Sequence, residues 1–135
     1  MTLVTLAIVL VAIVSNHGPS PVNAQIPIWR EVESPTYAYL NSVSMVNSAE
    51  GWAVGDGGTI LPYANGSWTD ESKPQLTTTN LEAVHALSAS DVWAVGFWGP
   101  VFHYSNGQWY VQSIDAAGQL ASIYMLSNTD GWIVG

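Results

Sequence analysis

The chain has no cysteine, and its 135 residues carry only two cations, Arg30 and Lys73, against ten carboxylates. Without cysteine, a disulfide framework, a thiolate metal site and lipid attachment through an N-terminal cysteine are excluded, and stability must come from packing. The formal net charge of −8 sets the chain against polyanions, so nucleic acid and anionic lipid surfaces are disfavoured as partners. A cation, a neutral sugar or another protein is left open by the charge, and a protein or carbohydrate ligand is the expectation. A long hydrophobic run is missing too. Residues 3–14 are apolar but for Thr5, which is shorter than the roughly 18 residues needed to span a bilayer. This run is followed by a polar, proline-containing stretch and then Val22-Asn23-Ala24. It reads as a secretory signal peptide over residues 1–24, although no Lys or Arg precedes it. The expectation is a secreted or extracytoplasmic protein with no membrane span after cleavage.

What is present is a repeat. Trp52-Ala53-Val54-Gly55 returns as Trp93-Ala94-Val95-Gly96 and again as Trp132-Ile133-Val134-Gly135, at steps of 41 and 39 residues. Each copy opens on a leucine, Leu40, Leu81 or Leu120, twelve residues before its tryptophan, and the two complete copies close on Asn65-Gly66-Ser67-Trp68 and Asn106-Gly107-Gln108-Trp109. Within a unit, alternation of apolar and polar residues predicts short strands at 40–46, 52–55, 59–63 and 67–71, with the same offsets over 81–112. The Asn-Gly pairs are the strongest short-range hairpin signal. A helical reading fails because several glycines and many β-branched and aromatic residues interrupt any 3.6-residue stripe. Four antiparallel strands repeated about every 40 residues is the pattern of a β-propeller blade; a β-sandwich is the alternative, but it has no reason to keep a fixed period. The expected fold class is therefore all-β, as an incomplete propeller over residues 25–135. Its units run over about 40–80, 81–119 and a shortened 120–135, which reads as the N-terminal piece of a longer propeller.

Residues 51–60, followed by the Asn-Gly turn and a tryptophan, resemble the bacterial neuraminidase repeat and the related propeller of the photosystem II assembly and stability factor family. The resemblance covers residues 40–135. The Asp-box turn of the neuraminidase repeat appears only in degenerate form, since Asn65-Gly66-Ser67-Trp68 and Asn106-Gly107-Gln108-Trp109 lack its aspartate.

The resemblance implies either a non-catalytic binding or assembly scaffold or a piece of a secreted, sialidase-like glycoside hydrolase; a propeller lectin is a third reading. A sialidase grips its substrate carboxylate with several arginines, and this chain has Arg30 alone. Other glycosidases need two carboxylates about 5 to 9.5 Å apart. Asp56, Glu82 and Asp91 are available, but Glu50, Asp91 and Asp130 recur at one place in the repeat and read as turn formers. No enzyme activity, cofactor or metal site is expected. His17 falls in the signal, while His85 and His103 fall on different strands without ligand spacing. Asn65-Gly66-Ser67 is formally a glycosylation sequon that already has a turn to make.

The informative positions are those where a unit breaks its own pattern. Asp56-Gly57-Gly58-Thr59 becomes Phe97-Trp98-Gly99-Pro100 in the second unit. Two aromatics thus stand where the repeat needs only turn residues. Phe97, Trp98 and Asp56 are the candidate ligand-binding residues, on a hairpin expected to share one face with the variable links 69–80 and 110–119. By contrast Trp52, Trp93 and Trp132 recur in phase and are expected to lie buried between sheets.

Overall fold

The chain is described by a computed structural model over residues 9–12, 29–114 and 118–135. Strands β1 (Val9–Ala12) and β2 (Trp29–Val32) pair antiparallel; the rest of the expected signal segment lies outside the described residues. The first complete blade follows, with β3 (Leu40–Met45), β4 (Gly51–Gly55), β5 (Thr59–Ala64) and β6 (Ser67–Trp68) in one antiparallel sheet in chain order. The second has β7 (Leu81–Ser88), β8 (Asp91–Gly96), β9 (Pro100–Ser105) and β10 (Gln108–Ser113) in the same order. A third sheet contains β11 (Ser122–Ser127) and β12 (Asp130–Val134). These sheets are antiparallel propeller blades, two complete and one incomplete.

Local chemistry accounts for the connections. At both Asn-Gly turns Asn65 and Asn106 have φ of 53°, and Gly66 and Gly107 have φ of 83° and 77°. Two consecutive left-handed residues make the two-residue hairpin that matches strand twist. The glycine closing each Trp-Ala-Val-Gly tract has a different reason to recur. A Cβ on Gly55, Gly96 or Gly135 would overlap the carbonyl oxygen of Tyr39, Asn80 or Gln119, just ahead of each unit's first leucine.

The blades stack face to face, and strand alternation assigns the faces. Trp52, Val54 and Ile60 of the first blade are buried against Leu81, Val84, Val92, Ala94 and Phe102 of the second. One register position away, Trp93, Val95 and Val101 of the second blade are buried against Leu120, Ile123 and Met125 of the third sheet. On its far side the first blade buries Ala53, Leu61 and Trp68, with Val32 of β2 packed against them. Backbone edges join as well: the Ser42 and Ser44 hydroxyls accept hydrogen bonds from the N–H groups of Val84 and Ala86, at 3.2 and 3.0 Å.

Three expectations need correction. The fourth strand of the first blade ends at Trp68 instead of residue 71. Its ladder still continues one-sidedly, since Thr69 and Glu71 donate to the carbonyls of Pro62 and Ile60 at 3.1 and 3.0 Å. The return bonds are missing, because Pro62 has no N–H and the Ile60 N–H goes to the Ser72 hydroxyl at 3.1 Å. The first strand of the third unit begins at Ser122 instead of Leu120. Trp132 is not buried: it is 61% exposed, against 4% and 6% for Trp52 and Trp93, because among the described residues no sheet lies on that side of β12.

Candidate functional site

Both hairpins singled out by the sequence leave the stack at the same end, and the link 69–80 runs past them. Asp56–Gly58 form a single 3₁₀ turn between β4 and β5. The Asp56 N–H donates to the Tyr39 carbonyl at 2.9 Å, and its carboxylate accepts from Asn41 Nδ2 at 2.9 Å. The same Asn41 amide nitrogen donates to the Leu81 carbonyl at 3.0 Å. It thereby ties Asp56 to the next blade.

Asn80, immediately before β7, joins the two hairpins. Its side-chain oxygen accepts from the Gly57 N–H at 3.0 Å, and its backbone carbonyl accepts from the Phe97 N–H at 3.2 Å. Neither asparagine was singled out in the sequence. The available signal was a departure from the repeat, since Asn41 stands where the other units have Glu82 and Ala121, and Asn80 where they have Tyr39 and Gln119.

Phe97 is half-buried and bridges to Gln119. Trp98 beside it is 76% exposed, although its backbone is fixed by an N–H bond to the Gly118 carbonyl at 2.9 Å. Its φ is 72°, matching the 66° of Gly57 at the same place in the first blade. A glycine adopts that conformation freely; for a bulky side chain it is a strained outlier. The second blade therefore holds a large aromatic ring in solvent, at a backbone position that favours no side chain at all. The next residue, Gly99, has φ of 87° and matches Gly58 at 77°, so only one of the two turn glycines has been replaced.

The remaining polar candidates lie elsewhere. Asp91 is at the opposite end of β8 from Phe97 and Trp98. Its carboxylate contacts His103 Nε2 at 2.9 Å, while the His103 ring stacks on Trp93 with centroids 3.8 Å apart and planes 11° from parallel. His85 meets Tyr124 edge to face at 4.7 Å. Both histidines thus take part in contacts within or between sheets. Among the described residues no three His, Asp or Glu side chains converge as a metal site would require. No helix among them is long and apolar enough to cross a membrane.

No protein-family model and no curated protein matches the chain. Among solved structures it is similar to YCF48 bound to D1 peptide, with 23% sequence identity and a TM-score of 0.56. The match covers 74% of this chain and 35% of the YCF48 chain, so this chain spans about a third of that protein's length. YCF48 is a propeller, and the likeness establishes the architecture of the blades.

Proposed function

We propose that the chain is a non-catalytic propeller scaffold that binds a peptide segment of another protein at the end of the stack where Asp56, Phe97 and Trp98 meet solvent. The observation that carries this reading is Trp98, held in a left-handed backbone conformation with its ring exposed. Strain of this kind costs on the order of 1–3 kcal/mol and clusters at ligand clamps and other functional sites, and exposed tryptophan offers a flat apolar face with one polar edge. A similar propeller bound to a peptide, YCF48 with D1 peptide, supports the class of ligand. The net charge of −8 favours a neutral or basic partner.

In this reading the repeat is of the bacterial neuraminidase type, with its Asp-box reduced to a structural turn, and residues 1–24 direct export. The separation of Asp56 and Asp91 to opposite ends of their strands, and the engagement of Asp91 by His103, favour a scaffold over a hydrolase. Peptide-display selection against the full chain tests it, run beside a glycan array and a fluorogenic sialoside assay. Enriched peptides that bind the wild type and lose binding on Trp98→Gly support the reading. Trp98-dependent glycan binding without peptide binding would make the chain a lectin, and sialoside turnover would make it an enzyme.

A further inference from the structure

A groove of about 410 Å³ opens between the two complete blades, lined by Lys73, Gln75 and Leu76 of the link 69–80 and by Gln108 and Trp109 at the start of β10. Both walls are held in place. On the link, the Ser72 hydroxyl accepts from the Ile60 N–H at 3.1 Å, and the Lys73 carbonyl accepts from the N–H groups of Leu76 and Thr77 at 2.8 and 3.2 Å. Pro74 stands second in that turn, where its fixed φ suits the geometry. On the blade, Gln108 pairs with Ser105 and Trp109 with Tyr104. Leu76 and Trp109 also pack on the buried cluster between the blades, which makes them the floor, while Lys73, Gln75 and Gln108 are exposed. The groove is separate from the Trp98 hairpin, because Gln108 and Trp98 lie beyond opposite ends of the six-residue strand β9.

The chemistry of the lining narrows what can fill it. Lys73 is one of two cations in a chain of net charge −8, yet among the described residues it is in no ion pair. Its ammonium donors are open to an anion. A single ammonium in an acidic molecule matches one carboxylate, whereas a phosphate dianion or an acidic peptide brings charge that the rest of the chain repels. Gln75 and Gln108 add carboxamides that both donate and accept, as sugar hydroxyls do. Trp109 and Leu76 supply apolar surface for the C–H face of a ring. The volume falls within the roughly 300–1,000 Å³ of small-ligand sites. We propose that this groove binds a carboxylated sugar, a uronic acid residue, with Lys73 pairing the carboxylate, Gln75 and Gln108 the hydroxyls, and Trp109 the ring. The site is additional to the peptide surface around Trp98 and stands whether or not that surface binds a peptide.

Titration of the nitrogen-15-labelled full chain with methyl glucuronide at neutral pH, followed by NMR beside methyl glucoside and acetate, tests this. The expected result is a saturable shift of the Gln75 and Gln108 side-chain amides and the Trp109 indole with the glucuronide, and much smaller shifts with either control. Lys73→Gln should weaken the glucuronide by roughly tenfold or more, the loss of one charge-assisted bond, and Lys73→Arg should keep most of the affinity. Trp98→Gly should leave it unchanged. Far-UV circular dichroism should be the same in the Lys73 variants, because that side chain is exposed. Shifts of equal size with the glucoside overturn the proposal by showing that the charge is not read. Equal shifts with acetate overturn it in favour of a carboxylate site indifferent to the sugar. Undiminished binding in Lys73→Gln, or no shift at these residues up to the solubility of the glucuronide, is equally decisive against it.

Discussion

The two complete blades are copies of one spacing with different residues at a few matching places, and each difference acts as an internal experiment. At the centre of the third strand the first blade has Pro62 and the second His103, opposite Trp52 and Trp93 respectively. The first blade's fourth strand pairs over two residues and the second's over six. The N–H that Pro62 lacks, together with the Ile60 N–H diverted to the Ser72 hydroxyl, separates a frayed outer edge from a complete one. A second difference is compensated. Gly51 faces Met45 and Gly131 faces Met125, but in the second blade Val92 faces Ala86. A Cβ on Gly51 or Gly131 would overlap the methionine sulfur, so bulk appears on one side of each pair and never on both. The third difference, Gly57 against Trp98, has no compensation, and that sets it apart as a place where something other than packing has chosen the residue.

The sharpest break in the comparison comes from the tryptophans. Trp93→Ala should destabilise the fold by about 3–5 kcal/mol, because it empties a site between two sheets. Trp132→Ala, at the same phase but exposed, should cost under about 1 kcal/mol. Chemical-denaturation midpoints at low protein concentration measure both. Equal losses would mean that the third sheet is covered in solution.

His103→Pro should convert the second blade's edge into the first's. The expected loss is about 2–3 kcal/mol, combining a broken ladder bond with the lost Trp93 stack and Asp91 contact. Hydrogen exchange should locate the change, with the Tyr110–Ser113 amides losing protection and those of β8 keeping theirs.

Gly51→Val alone should cost about 1–3 kcal/mol through overpacking against Met45. Adding Met45→Ala reproduces the Val92–Ala86 pair and should recover most of it, giving a favourable coupling in a double-mutant cycle. Additive losses would show that the Ser44 carbonyl, 3.0 Å from the position of the added Cβ, sets the limit instead of the sulfur.

The smallest effect is also the one of opposite sign. Trp98→Gly should stabilise the chain by up to about 1 kcal/mol by relieving a left-handed non-glycine residue, while Trp98→Ala should be nearly neutral. Thermal unfolding distinguishes them. A loss of more than about 1 kcal/mol on Trp98→Gly would make the ring a packing residue.

Much of this was legible in the sequence because the period does the work of an alignment. Matching positions in the repeat fixed which strands pair, where the Asn-Gly turns fall and which face of each strand meets a neighbour. The extent of β6 was not legible. Its length depends on a proline in the adjacent strand and on a serine hydroxyl beyond it, neither of which changes the pattern of Ser67–Trp68 itself. The burial of Trp132 was misjudged because phase specifies which face a residue occupies and not whether anything covers that face. The side-chain bonds from Asn41 to Asp56 and from the Gly57 N–H to Asn80 were invisible for another reason: they join residues 15 and 23 positions apart and depend on side chains present in one unit only, so the repeat carries no trace of them.

The central claim is that Trp52 and Trp93, at matching places in the two complete blades, hold the stack together, while Trp98, which replaces a turn glycine, faces outward for a partner. Fluorine NMR of the chain labelled with 5-fluorotryptophan, assigned by single substitutions and recorded in light and heavy water, measures this directly. The Trp52, Trp68 and Trp93 resonances should show little solvent isotope shift, and Trp98 the shift of a free ring. A Trp98 resonance as shielded as that of Trp93, or a Trp93 resonance as exposed as that of Trp98, would contradict it.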